Sequence, residues 1–113
     1  MLDHERLDVY KCSIEFLALA FETIKNIPRG YALVTDHLKR GSLSIPFNIA
    51  EGVGKISLAD KQKFYAIARG SAMECGSVLD ACKILRLIDI SDFEKGKNLL
   101  ERIVSMLTKM CKF

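Results

Sequence analysis

The chain has 113 residues, of which 50% are apolar and 27% are charged, and its 17 basic and 14 acidic residues give a net charge of +3. This composition excludes a disordered chain, and the length fits one domain, residues 1–113, because domains commonly have ~100–150 residues. The longest apolar run, Phe16 to Phe21, is six residues, whereas a membrane-spanning helix needs ~20. We therefore expect a globular protein that does not enter a membrane.

The first residues are acidic where a signal peptide would be basic and then apolar, so we expect a cytoplasmic protein. The four cysteines form no C-x-x-C pair of the kind found in zinc and redox sites; they are Cys12, Cys75, Cys82 and Cys111. We expect reduced, buried thiols and neither a metal nor a cofactor.

The apolar residues of the first segment recur at alternating steps of three and four, which is the spacing of one face of a helix. They predict a helix from about Asp3 to Lys25, ended by Asn26 and Pro28. The predicted core face of this helix is Leu7, Tyr10, Ile14, Leu17, Phe21 and Ile24.

A second helix is predicted from Gly30 or Tyr31 to the stretch 52–54, with Pro46 in its interior. An interior proline removes a backbone donor and clashes with the carbonyl four residues earlier, here Ser42, at a cost of ~3 kcal/mol in a straight helix. Because the apolar pattern keeps its phase across Pro46, we expect one kinked helix rather than two. Its predicted core face is Val34, Leu38, Ile45 and Ile49.

Two further helices are predicted, one from Leu58 to Arg86 capped by Ser57, and one opened by a capping box from Ser91 to Glu94. Their predicted core faces are Phe64, Ala68, Ser71, Cys75, Val78, Cys82 and Leu85, then Phe93, Leu100, Ile103, Leu107 and Met110. No segment alternates as a strand does. The sequence therefore predicts an all-α, antiparallel up-down-up-down four-helix bundle.

Catalytic chemistry needs a set of converging groups, and the sequence offers none that is specific. Neither His4 nor His37 follows a glutamate by three residues, as a di-iron bundle site requires. A nucleophile pair of His37 with a cysteine is expected by chance in a chain of this composition. We therefore expect that the protein is not an enzyme.

The most unusual polar residues lie in the two middle helices. Ser44, Asn48 and Glu51 share one face of the second helix, and Ser71 and Glu74 are about one turn apart on the third. Since an unpaired buried polar group costs ~1–3 kcal/mol, we predict that these side chains form an interhelix hydrogen-bond network. A ligand or partner pocket built on the same residues is the alternative.

Four strings of residues together carry a family resemblance. They are L-x-V-Y-K from Leu7, L-K-R from Leu38, S-I-P-x-N-I-A-E-G from Ser44, and F-x-x-I-A-x-G-S-x-x-E from Phe64. In this combination the chain resembles the 23S rRNA intervening-sequence proteins, from Leu7 to about Ile88. The resemblance implies a four-helix bundle that assembles as a homopentamer and has no known catalytic residues. Similar accessory proteins of diversity-generating retroelements bind RNA or DNA and a reverse transcriptase, which implies nucleic-acid association here.

Basic residues are concentrated in the middle of the chain. Residues 26–86 contain nine basic and five acidic residues, whereas residues 1–25 contain three basic and five acidic ones. We predict that this excess binds RNA or DNA, with a ring of copies multiplying the field; an ordinary solvated face is the alternative. The predicted binding residues are Lys39, Arg40, Lys55, Lys61, Lys63 and Arg69. Tyr65 is the aromatic candidate for base stacking near them.

Leu43 and Phe47 are apolar residues on the predicted outer side of the second helix, among charges, which is typical of a subunit contact. We therefore predict a homo-oligomer, a pentamer by the resemblance, that binds nucleic acid, RNA in particular. The alternative function is a protein-interaction scaffold or accessory subunit that docks a partner such as a reverse transcriptase.

Overall fold

Four α-helices follow a short 3-10 helix, Asp3–Arg6, in the computed structural model, which describes residues 1–112. The α-helices are α1 (Asp8–Lys25), α2 (Ala32–Gly54), α3 (Leu58–Ile84) and α4 (Ile90–Cys111). Each helix packs against its neighbours in sequence, and α1 also packs against α4, which closes the bundle. Residues 1–112 contain no strand, so the predicted all-α four-helix bundle is confirmed.

The middle helices, α2 and α3, are antiparallel: along their contact, residue numbers rise on one helix as they fall on the other. Residue 37 lies against residue 74, residue 44 against residue 71, and the Lys61 side chain against the end of α2 at Val53. On the next side, α3 and α4 are paired in the same antiparallel way, from Asp80 with Lys97 to Gln62 with Cys111. The antiparallel order follows from these pairs.

The second helix runs through Pro46 without a break, as predicted. Pro46 is fully buried, and the hydroxyl of Ser42, in the turn before it, donates to the carbonyl of Lys39 at 3.2 Å. The proline therefore lies inside the core of one continuous helix. The kink at Pro46 stays a prediction.

The predicted core face of α1 is correct only in part: Leu7, Tyr10 and Ile24 are half-buried and pack against the core. Ile14 is 41% exposed and Phe21 is 36% exposed, whereas Phe16 and Ala20 are fully buried. The buried face is the adjacent stripe, which consists of Val9, Cys12, Ser13, Phe16, Ala20 and Thr23. Apolar residues surround most of this helix, so periodicity alone did not distinguish the two stripes. The small residues of the second stripe let the neighbouring helices approach, and that stripe is the one the bundle buries.

The core face of α3 is shifted by one position at three points. Tyr65, Ala72 and Leu79 are buried in place of the predicted Phe64, Ser71 and Val78, which are half-buried. Leu85, also predicted for the core, is 44% exposed. The predicted Ala68, Cys75 and Cys82 are fully buried.

The core faces of α2 and α4 agree better with the prediction. The predicted residues that are buried are Leu38, Ile45, Ile49, Leu100, Ile103 and Leu107. The predicted residues that are half-buried are Val34, Phe93 and Met110.

The helix ends differ from the predicted ones in three places. The first α-helix begins at Asp8, because the preceding residues form the 3-10 turn. The third ends at Ile84, before Arg86, whose φ of 58° is left-handed and cannot continue a helix. The predicted capping box at Ser91 is wrong, because the amide of Phe93 donates to the carbonyl of Asp89 and the helix starts two residues earlier, with Asp89 as its N-cap. The predicted cap of α3 is confirmed: Ser57 Oγ accepts from the amide of Asp60 at 3.1 Å.

None of the helices in residues 1–112 combines the length and the hydropathy of a membrane-spanning segment.

Substituting Gly52 by Ala is expected to destabilise the bundle by about 1–3 kcal/mol, because the new Cβ would overpack the α2–α3 contact. That Cβ would lie 2.6 Å from Cε1 of the buried Tyr65 ring. Gly70→Ala is the matched control, since no atom lies within 4 Å of its Cβ position. The free energy of unfolding of the control is expected to rise by about 0.5–1 kcal/mol, because alanine has a higher helix propensity than glycine. Urea unfolding of both variants measures the difference, and equal stabilities would contradict the close packing.

Candidate functional site

A small polar cluster joins α2 to α3 at their crossing. The hydroxyls of Ser44 and Ser71 lie 2.8 Å apart across the two helices. The Asn48 side-chain amide donates to the carbonyl of Ser44 at 2.8 Å and to its hydroxyl at 2.9 Å. The cluster therefore fixes the register of the two helices with a short interhelix hydrogen bond.

Two residues predicted for this network lie outside it. Glu51 is exposed and pairs with Lys55 in the next turn, with Oε2 3.2 Å from Nζ. Glu74 lies beside the cluster, with its Oε2 3.9 Å from Nδ1 of His37. The predicted network is thus too large, because Glu51, although it shares a helix face with Ser44, pairs with the lysine four residues on.

Close approach of the two helices explains why the cluster can form. A Cβ on Gly41 would lie 2.7 Å from Sγ of Cys75, so only glycine fits here without displacing the thiol. Burial, with a smaller contribution from the nearby charge of Glu74, raises the pKa of the Cys75 thiol to about 12. Cys75 is therefore a packing residue and not a reactive nucleophile.

A cavity of about 240 Å³ opens at the same crossing. Its lining residues are His37, Arg40, Gly41, Ser44, Ser71 and Glu74. Their polar groups comprise the guanidinium of Arg40, a carboxylate, an imidazole and the two hydroxyls of the cluster. The cavity can both donate hydrogen bonds and accept them.

Three of the six predicted basic residues form hydrogen bonds or ion pairs with other residues of the bundle. Lys61 Nζ donates to the carbonyl of Val53 at 2.8 Å and so satisfies the end of α2. Lys55 pairs with Glu51, and Arg69 Nε donates to the hydroxyl of Thr108 on α4 at 2.8 Å. These contacts give Lys55, Lys61 and Arg69 a structural role.

The other three basic residues, Lys39, Arg40 and Lys63, are exposed and form no ion pair with another residue in 1–112. Lys39 and Arg40 lie on α2 near the cavity, and Lys63 lies in the second turn of α3. Lys63 Nζ is 6.0 Å from the centre of the Phe64 ring, which Lys55 also approaches at 5.2 Å. These side chains keep their charge available to a ligand in solvent.

The Tyr65 ring, predicted as a candidate for base stacking, is buried against Gly52. Its burial, followed by a smaller effect of Cys111, raises the pKa of the phenol. Phe64, half-buried beneath the two lysines, is the aromatic residue nearest the basic surface. The sequence signal for Phe64 was its position next to Lys63 and three residues after Lys61, but its spacing predicted a place in the core.

Exposed and half-buried apolar side chains lie on the outside of α1 and of α2. On α2, Leu43 and Phe47 lie on the side of the helix that faces away from the buried Ile45 and Ile49. Leu43 is half-buried and Phe47 is 65% exposed. On α1, Leu19 faces Gly96 of α4, and the side opposite Leu19 carries Ile14, Leu17 and Phe21. We name Ile14, Leu17, Phe21, Leu43 and Phe47 the apolar ridge.

A groove with a cavity volume of about 510 Å³ lies between α3 and α4. Ala72 and Leu100 form its buried floor, and Met73, which is 56% exposed, and Val104 form apolar walls. One end is marked by the ion pair of Lys97 with Asp80, at 2.8 Å. We name this feature the α3–α4 groove.

All four cysteines are free thiols; Cys12, Cys75 and Cys82 are buried, and Cys111 is half-buried. Residues 1–112 contain no group of three or more His, Cys, Asp or Glu side chains placed to hold a metal ion.

Comparison with known proteins identifies a matching family and a solved structure of similar fold. Residues 5–109 match the family model described as the 23S rRNA-intervening sequence protein. The fold resembles the crystal structure of a protein of unknown function from the S23 ribosomal protein family of Bacteroides thetaiotaomicron VPI-5482. The TM-score is 0.85 at 23% sequence identity, over 93% of this chain and 99% of that one. No curated protein matches the sequence.

The buried Cys75 thiol predicts a loss of stability in alkali. Its pKa is about 12 in the folded chain and 9.0 for an ordinary cysteine, so the unfolded chain releases this proton at lower pH. The stabilisation is complete below about pH 9 and is lost as the pH rises toward 12. The free energy of unfolding of Cys75→Ala is expected to fall less steeply between these limits than that of the parent. If the free energy of unfolding falls equally steeply with pH in the variant and the parent, the raised pKa of Cys75 is contradicted.

Proposed function

We propose, from the premise that this chain belongs to the 23S rRNA-intervening sequence protein family, that it is a non-enzymatic homo-oligomer that binds RNA. The observation that carries the proposal is the exposed basic surface of α2 and α3, with Lys39, Arg40 and Lys63 in no ion pair within residues 1–112. Positive charges that are held outward release counterions from a polyanion when it binds. The cytoplasm is the compartment we propose for this activity.

One subunit carries a net charge of only +3, which is weak for a nucleic-acid binder acting alone. A closed ring would place several copies of the same basic residues around one axis. The potential near that axis grows with the number of copies, and each bound phosphate then meets several side chains. Self-association therefore supports the binding that a single bundle supports poorly.

The apolar ridge and the α3–α4 groove support self-association. Phe47 and Met73, one on each feature, are more than half exposed, which is costly for large apolar side chains that face water. The two features differ in shape and lie on different helices. Contact between unlike faces is heterologous, and such a contact forms a ring when the rotation between subunits closes. The number five is the one that the family resemblance implies.

A protein-interaction scaffold is the second candidate, and the α3–α4 groove is the observation that favours it. The groove is apolar and open at the surface, as a site for a partner helix would be. A partner such as a reverse transcriptase would then remain bound after nuclease treatment and in high salt. Loss of the partner under both treatments would favour the nucleic-acid function.

Neutralising Lys39, Arg40 and Lys63 to Gln is expected to weaken RNA binding at low salt and to flatten its salt dependence. For a single strand, the slope of log K against log salt becomes shallower by about 0.7 for each phosphate that is no longer neutralised by a basic side chain. Fluorescence anisotropy with a labelled single-stranded RNA measures both effects. Lys61 is left intact because it also satisfies the end of α2.

The matched control for that variant is the triple substitution of Lys11, Lys95 and Arg102 to Gln. These exposed residues lie on α1 and α4 and carry the same total charge. The control is expected to retain most of the parent's affinity and its salt slope. Equal losses in the two triple variants would reduce the effect to net charge and contradict a binding surface on α2 and α3.

Substituting Phe47 and Ile14 by Glu is expected to convert the assembly to monomers, because both charges would be buried in the subunit contact. Sedimentation velocity measures the mass. The control is Leu33→Glu with Ile56→Glu, since these residues are 71% and 100% exposed and lie outside the apolar ridge. A parent chain that sediments as a monomer, or a variant that remains assembled, would contradict the contact.

A further inference from the structure

The cavity at the α2–α3 crossing is a polar site that the proposed function uses only through Arg40. Its volume is about 240 Å³, which is room for one sugar with its phosphate and too little for a folded partner segment. Arg40 is exposed, and the side chains of His37 and Glu74 are 43% and 53% exposed. A ligand can therefore reach these groups from solvent.

One hydroxyl hydrogen on the floor of the cavity is available to a ligand. Ser44 Oγ accepts from Asn48, and only one hydrogen of the serine pair lies between the two oxygens. Whichever serine donates in that bond, the hydroxyl hydrogen of the other has no further partner in residues 1–112. The floor of the cavity thus offers a donor beside the guanidinium of Arg40.

The charges of the cavity favour a ligand that is both anionic and a donor. Arg40 and Glu74 carry opposite charges, so a bare anion would gain from the guanidinium and lose to the carboxylate. Glu74 is 3.9 Å from His37, a separation beyond a direct hydrogen bond, so its oxygens can accept from a ligand hydroxyl. A ribose with its phosphate satisfies both groups, because it has phosphate oxygens and a 2′-hydroxyl in one unit.

We propose that this cavity binds one ribose-phosphate unit of an RNA strand, with Arg40 on the phosphate and Glu74 accepting from the 2′-hydroxyl. The free hydroxyl hydrogen of the Ser44–Ser71 pair donates to a second oxygen of the same unit. The proposal rests on the RNA binding proposed above and deepens it by naming the group that is read. DNA lacks the 2′-hydroxyl and leaves Glu74 without its donor, so the site selects RNA over DNA.

The experiment compares two homopolymers of the same base and length, oligouridylate and oligodeoxyuridylate of about twelve nucleotides, by fluorescence anisotropy on the full chain. The parent is expected to bind the RNA about tenfold more tightly, as one hydrogen bond to a charged group allows. Glu74→Met is expected to bring the ratio close to one, because it removes the acceptor while keeping a good helix former. Arg40→Met is expected to weaken binding of both strands.

The matched control is Glu51→Met, which removes the same charge from a side chain that is also 53% exposed and lies away from the cavity. It is expected to tighten the binding of both strands, because a repulsive charge is removed, and to leave the ratio unchanged. Circular dichroism of each variant establishes that the bundle is folded.

Equal affinity of the parent for the two strands, or a ratio that Glu74→Met leaves unchanged, would overturn the ribose assignment while RNA binding itself stands. Failure of the parent to bind either strand would instead remove the proposed function.

Discussion

Close packing of α2 on α3 is the constraint on which the rest of the molecule depends. Gly41 and Gly52 bring the backbone of α2 within reach of Cys75 and Tyr65, distances that any Cβ would obstruct. At that separation two serine hydroxyls can meet directly, and the 2.8 Å bond between them fixes the register. The same register places residues 37 and 40 opposite residue 74, so packing in the core determines the polar cavity on the surface.

The fold class followed from the sequence because four periodic segments with short links admit few other arrangements. Individual faces were harder to predict. Apolar residues occupy two adjacent stripes of α1. Their periodicity predicted that the stripe with Ile14 and Phe21 is the buried one, but these two residues are exposed in the bundle. The buried stripe is partly polar and small, and only the position of α4, with Gly96 against Phe16 and Leu19, explains why it is preferred.

The candidate site, like the fold, was predictable from the sequence only in part. Spacing along the helices brought Ser44, Asn48 and Ser71 together in the predicted network, since helix faces follow from residue numbers. It could not separate lysines that complete the fold from those that face solvent. Lys61 satisfies the carbonyl of Val53 only because the chain reverses between α2 and α3, and such tertiary contacts leave no local pattern. Lys39, Arg40 and Lys63 differ from the other three basic residues, which form hydrogen bonds or ion pairs within the bundle, and the binding role of all six stays a prediction.

Chemical-shift mapping of a nitrogen-15-labelled chain titrated with single-stranded RNA tests the proposed site most directly. We expect the amides of Arg40, Ser44, Ser71 and Glu74 to shift together and to saturate at one concentration, because one strand occupies one cavity at the α2–α3 crossing. Shifts confined to α1 and α4, with the crossing unperturbed at saturating RNA, would contradict this site.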